Sequence, residues 1–130
     1  MTVKRVQHVS VPRPPGREAH DRAVAFYQSV LGLPEIPKPR TFVTIEVTWF
    51  QVGDDEIHVY ALAPGEQAPH NAAHFCLEVD DLASTRRTLE EAGFECEDAV
   101  PIPHRPRFYT RDPFGNQIEI TTIQGDYTAG

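Results

Sequence analysis

Arg5-Val6-Gln7-His8-Val9-Ser10-Val11 and Ala72-Ala73-His74-Phe75-Cys76-Leu77-Glu78-Val79 are two alternating stretches, each carrying one histidine on its polar face. Residues two apart on a strand share a face and neighbours do not. In the first stretch Val9 and Val11 oppose His8 and Ser10. In the second Phe75, Leu77 and Val79 oppose His74, Cys76 and Glu78. The two stretches head two copies of one unit. The same 26-residue interval separates Gly32 from His58 and Gly93 from Glu119. The leading interval is five residues longer in the first copy, and the insert Pro12-Arg13-Pro14-Pro15-Gly16 absorbs that difference. His8, His58, His74 and Glu119 therefore hold matched positions in an internal repeat, and such repeats decide architecture.

Each copy reads strand, helix, then about three strands. In the first, residues 3–11 form a strand and residues 18–31 a helix with Ala23, Phe26, Tyr27, Val30 and Leu31 on one stripe. Strands follow at 41–52 and 56–62, split by the turn residues Gly53-Asp54-Asp55. The second copy has a strand at 72–79 and a helix at 81–92 with Leu82, Thr85, Leu89 and Ala92 inward. Its short strands lie at 95–101, 107–110 and 116–123. Gly32 and Gly93 each follow a helix and suit a left-handed cap. The expected class is α+β: two βαβββ modules, residues 1–63 and 72–130, joined by a linker at 64–71 and forming one domain together.

Bulk composition narrows the function. The 130 residues are 40% apolar and 24% charged, which is ordinary for a globular chain. A formal charge of −7 argues against nucleic acid or an anionic membrane as partner, because both need a positive footprint. No apolar run is long enough to span a bilayer, and no signal-peptide pattern opens the chain. Cys76 and Cys96 are too few for a disulfide scaffold. A cytoplasmic location is expected.

Ala25-Phe26-Tyr27-Gln28-Ser29-Val30-Leu31-Gly32-Leu33, and Phe108-Tyr109-Thr110-Arg111-Asp112-Pro113-Phe114-Gly115-Asn116-Gln117-Ile118-Glu119, make the chain resemble the vicinal oxygen chelate superfamily. That group holds glyoxalase I, fosfomycin-resistance enzymes, methylmalonyl-CoA epimerase, extradiol dioxygenases and bleomycin-binding proteins. The resemblance implies a curled, incompletely closed mixed sheet around a central cavity. It also implies a homodimer in which modules commonly exchange partners, and one divalent transition ion per site (Fe, Ni, Co, Zn or Mn). The metal positions it implies are His8, His74 and Glu119, and His58 stands where glyoxalase I has a fourth ligand, a Glu. Glu119 and Tyr109 are the catalytic candidates it points to, with Glu78, Tyr60 and His104 as other conceivable bases.

Two imidazoles and a carboxylate leave open positions on an octahedral ion, where a substrate with two adjacent oxygens can chelate. The expected activity is thus a lyase, isomerase or dioxygenase reaction on a small molecule. Trp49, Tyr60 and Phe114 are candidate pocket residues, although strand aromatics are more often core. Arg105, Arg107 and Arg111 either hold a substrate anion or sit on a solvated strand edge. The competing class is a bleomycin-resistance-like protein that sequesters a drug or metabolite. A third class, a regulatory or immunity partner on the same fold, stays open.

Overall fold

The structure is a computed structural model describing residues 1–128. The final two positions of the expected second module, 129 and 130, lie outside the described residues. The chain divides into two compact units, Met1–Pro69 and a second beginning at His70. The first holds β1 (His8–Arg13), α1 (Arg17–Ala23), β2 (Glu35–Ile36), β3 (Val47–Val52) and β4 (Asp55–Ala61). The second holds β5 (His74–Glu78), α2 (Leu82–Glu91), β6 (Cys96–Asp98), β7 (Arg107–Arg111) and β8 (Gln117–Thr121). The strand orders are β1-β4-β3-β2 and β5-β8-β7-β6, so both units have one topology. In each sheet the edge strand before the helix pairs parallel with the last strand, and the remaining pairs are antiparallel. The α+β expectation of two βαβββ modules holds.

Alternation builds the two cores. In the first unit Ile57 and Val59 of β4 and Phe50 of β3 turn to the helix side and are buried with Ala19, Ala23, Phe26 and Tyr27. Tyr27 packs on Phe50 with ring centroids 5.1 Å apart. In the second unit Ile118 and Ile120 of β8, Phe108 of β7 and Leu89 of α2 are buried. Burying a side chain of this size contributes roughly 1.5–3 kcal/mol.

Both helices end on the glycines the spacing singled out. α1 continues through Val24–Val30 as a wider helix with hydrogen bonds spanning five residues. It closes with the Gly32 amide on the Gln28 carbonyl at 3.0 Å and Gly32 at φ 77°. α2 closes with the Phe94 amide on the Leu89 carbonyl at 3.0 Å and Gly93 at φ 92°. Only glycine takes that backbone region without a Cβ penalty.

Several boundaries differ from expectation, and partner availability explains them. The first strand starts at His8 rather than residue 3, because His8 already lies opposite Glu56, the second residue of β4. It runs on through Pro12 and Arg13, which the proline cluster had placed in a break. β1 is an edge strand, where a missing N–H is tolerated. β3 begins at Val47 rather than residue 41, because Tyr60, its partner, is one residue from the end of β4. The two-residue β2, hidden between Pro34 and Pro37, pairs with Trp49 and Phe50. β5, β6 and β8 are likewise shorter than the alternation allowed. Ala92, expected inward, is exposed.

Extending β1 carries Arg13 onto the apolar side, where it is 1% exposed. Its guanidinium donates to the Pro14 carbonyl at 2.8 Å, Glu46 Oε1 at 3.0 Å and Thr48 Oγ1 at 3.3 Å. Glu46 Oε1 also accepts the Gly16 amide at 2.6 Å, tying the start of α1 to the same pair. The Gly16 amide first, and the Arg13 hydrogen bond second, hold the Glu46 carboxyl below the usual carboxylate range. A depressed folded pKa contributes stability above the unfolded pKa, and that contribution is lost as pH falls through the folded one. Glu46→Gln is therefore expected to be less stable than the parent at neutral pH. In urea melts at a series of pH values, the difference should vanish well below the ordinary carboxylate range. A gap that persists unchanged into acid contradicts this role.

Candidate functional site

Strand register confirms the matched positions residue by residue. In the first unit His8 lies opposite Glu56, and Ser10 opposite His58. In the second His74 lies opposite Gln117, and Cys76 opposite Glu119. On the next strand Trp49 lies opposite His58, and Tyr109 opposite Glu119. The polar face of each sheet thus presents His, then His58 or Glu119, then an aromatic.

In the second unit His74 Nδ1 is 2.9 Å from the Ala72 carbonyl oxygen. A carbonyl only accepts, so Nδ1 carries the proton. The other nitrogen, Nε2, is 3.2 Å from Glu119 Oε1. In a neutral ring both facing atoms are lone-pair donors, and something positive belongs between them: a second proton or a metal ion. Their separation is close to the edge of about 3 Å expected for two donors roughly 2.1 Å from one ion.

Glu119 is 3% exposed. Arg105 Nη2 donates to its Oε2, and Arg107 Nη1 donates to its Oε1 at 3.2 Å. Burial opposes ionisation, but the hydrogen bonds of Arg105 and Cys76 and the two guanidinium charges outweigh it. The carboxyl is held below its ordinary value. Arg107 also donates to the Tyr109 hydroxyl at 2.8 Å and to the Val100 carbonyl at 3.1 Å. The Tyr109 ring meets the His74 ring edge to face at 5.2 Å. A hollow of about 250 Å³ adjoins Tyr109, lined also by Phe94, Glu97, Arg111 and Gln117.

In the first unit three rings stack. The His58 ring lies 4.0 Å from Trp49 at an interplanar angle of 4°, and 4.1 Å from His8 at 19°. Phe42 meets Trp49 edge on at 5.7 Å. His58 Nε2 is 2.8 Å from Glu56 Oε1, and His8 Nδ1 is 2.8 Å from Gln7 Oε1. Each imidazole has one nitrogen pinned by an oxygen acceptor. In the neutral rings the free lone pairs are on His8 Nε2, His58 Nδ1 and His74 Nε2. A histidine that binds metal is oriented in this way by its other nitrogen.

The structure thus brings His74 to Glu119 and His8 to His58. Among the described residues, no three His, Cys, Asp or Glu side chains gather as a metal site. The test of fit is the donor set itself. In the second unit an imidazole whose Nδ1 carries the proton and the ionised carboxylate facing it are donor types that suit a transition ion. Tyr60 lies on the polar face of β4, two residues from His58. Phe114 sits in the β7–β8 turn, where buried Asp112 accepts from the Phe114 and Asn116 amides at 2.9 Å.

Arg105 and Arg107, left open between a substrate anion and a solvated edge, turn inward to Glu119. Glu56 was missed altogether. Its signal was parity, because Glu56 and His58 are two apart and must share a face.

Because Glu119 neutralises two guanidiniums in a water-poor position, Glu119→Ala should cost on the order of 3 kcal/mol even with no metal present. Denaturant unfolding in the presence of a chelator measures it. A stability equal to the parent's contradicts the assigned role of the cluster.

The profile of the Glyoxalase/Bleomycin resistance protein/Dioxygenase superfamily matches residues 7–120. A glyoxalase family protein from Bacillus anthracis is 32% identical, with a TM-score of 0.86 over 95% of this chain and 98% of its own. An antibiotic binding protein from a Streptomyces species is 22% identical, with a TM-score of 0.71 over 95% and 98%. A lactoylglutathione lyase from Agrobacterium tumefaciens is 21% identical, with a TM-score of 0.66 over 93% and 95%. These last two likenesses are of fold. No curated protein matches the chain. Among the described residues, no helix is long and apolar enough to cross a membrane.

Proposed function

We propose, for a chain that belongs to the glyoxalase/bleomycin resistance protein/dioxygenase superfamily, a metal-dependent enzyme acting on a small substrate that chelates through two adjacent oxygens. It would work in the cytoplasm as a homodimer. The observation that carries this reading is the His74–Glu119 pair, two donor atoms facing each other at 3.2 Å with the imidazole tautomer already set by Ala72. We assign the ion to His74 and Glu119; His8 and His58 are the proposed metal-binding residues at the matched positions of the first unit.

A bound divalent ion would supply Lewis acidity, stabilising negative charge as it develops on a substrate oxygen. The chain's own residues do the rest. Ala72 holds the His74 ring through Nδ1. Arg107 fixes both Glu119 Oε1 and the Tyr109 hydroxyl, so the two catalytic candidates move as one rigid group. Tyr109 Oη, already accepting from Arg107, keeps its own proton available for donation. Glu119 is held ionised, ready to accept a proton at a carboxylate oxygen. Trp49, Tyr60 and Phe114 are the proposed contacts for the organic part of the substrate.

A second reading, sequestration of a drug or metabolite without turnover, draws on the flat ladder His8–His58–Trp49. Such a face suits a planar conjugated ligand.

Elemental analysis of protein purified without added metal separates the two. The enzyme reading expects roughly one transition ion per subunit, lost in His74→Ala. Protein that arrives metal-free, stays so after incubation with cobalt or nickel and binds a planar drug contradicts it.

A further inference from the structure

Two guanidiniums on one buried carboxylate leave a surplus positive charge where a cation is expected. The two are not equally held. Arg107 comes from β7 and has three acceptors: Glu119, the Tyr109 hydroxyl and the Val100 carbonyl. Arg105 comes from the loop before β7. Its guanidinium is bonded to Glu119 Oε2 and to Tyr127, whose ring it faces at 5.1 Å. The Nε–H of Arg105 and that of Arg107 are both buried without a partner, so the difference lies in the outer nitrogens. His104, just before it, has φ 66°, a backbone region that non-glycine residues rarely adopt. The His104 carbonyl accepts the Gln124 amide at 2.7 Å, and the Pro106 carbonyl accepts the Thr122 amide at 3.2 Å. The segment leading to Tyr127 is therefore laced to the loop that carries Arg105.

We propose that Arg105 is a cationic plug: in the metal-free chain it occupies Glu119, and it gives way, leaving its brace on Tyr127, when an ion binds. This rests on the assignment of metal to His74 and Glu119. A dication placed beside Glu119 meets two fixed positive charges in a partly desolvated setting, where like charges repel strongly. Arg107 cannot leave without stranding Tyr109 and Val100. Arg105 leaves only Tyr127 and one carboxylate oxygen, and its side chain is more exposed than that of Arg107, at 21% against 14%. The opposite role is a positioning residue, in which Arg105 orients Glu119 for the ion. The two roles predict opposite signs. Removing a plug tightens metal binding, and removing a positioning residue weakens it.

The test is cobalt affinity, followed by the visible absorption of bound Co(II) and by calorimetry, in the parent, Arg105→Gln and Tyr127→Ala. Arg111→Gln serves as the charge control, because Arg111 donates to Gly115 and Gln117 rather than to Glu119. Glutamine removes the charge and leaves a shorter, neutral donor on the same stem. The plug expects Arg105→Gln to bind cobalt about tenfold tighter or more. Tyr127→Ala should shift the same way by less, and Arg111→Gln should match the parent. If Arg105→Gln does not fold by circular dichroism, the sign of the Tyr127→Ala shift decides. Parent protein that binds cobalt, with Arg105→Gln equal or weaker, overturns the plug and leaves the metal assignment standing. Failure of both proteins to bind cobalt overturns both.

Discussion

A buried carboxylate must be neutralised, and in this chain that requirement organises the second unit. Glu119 is almost wholly out of solvent and ionised, so positive charge has to stand beside it. Arg105, Arg107 and, when protonated, His74 answer that demand. Through Arg107 the demand reaches Tyr109 and Val100, and through Arg105 it reaches Tyr127. A divalent ion answers the same demand with fewer groups. Metal binding, as proposed, and the arginine cluster would thus be two solutions to one electrostatic problem.

The duplication then explains why the first unit looks different on the same frame. Register puts His58 where the second unit has Glu119, and Trp49 where it has Tyr109. An imidazole is not a fixed negative charge. Among the described residues no arginine is hydrogen-bonded to the His58 ring, which stacks between His8 and Trp49. Glu56, opposite His8, supplies the acceptor that sets the His58 tautomer. One topology therefore carries a charged cluster in one copy and an aromatic ladder in the other. The contrast follows exchanges at matched positions: His58 for Glu119, Trp49 for Tyr109 and Val47 for Arg107.

Much of this was legible in the residues. Parity placed His74 with Glu119 and His8 with His58 on polar faces, and Gly32 and Gly93 marked the helix ends because only glycine accepts that backbone cheaply. Strand limits were less legible, since they depend on where the partner strand stops: β1 begins opposite the start of β4, and β3 begins opposite its end. Pro12 misled because proline forbids central strands but is harmless on an edge, and edges are a property of topology. The roles of Arg105 and Arg107 were hidden for a similar reason. A charged residue on a strand looks the same in sequence whether it faces water or a buried carboxylate fourteen or twelve positions away.

The central claim is that the gap between His74 and Glu119 is a place for a metal ion. Diffraction from crystals grown with cobalt, collected at the cobalt absorption edge, addresses it most directly. The account predicts an anomalous peak within bonding distance of both His74 Nε2 and Glu119 Oε1, with the Ala72 contact to Nδ1 kept. A map with no peak there, and the Arg105 and Arg107 contacts to Glu119 intact at saturating cobalt, would contradict it.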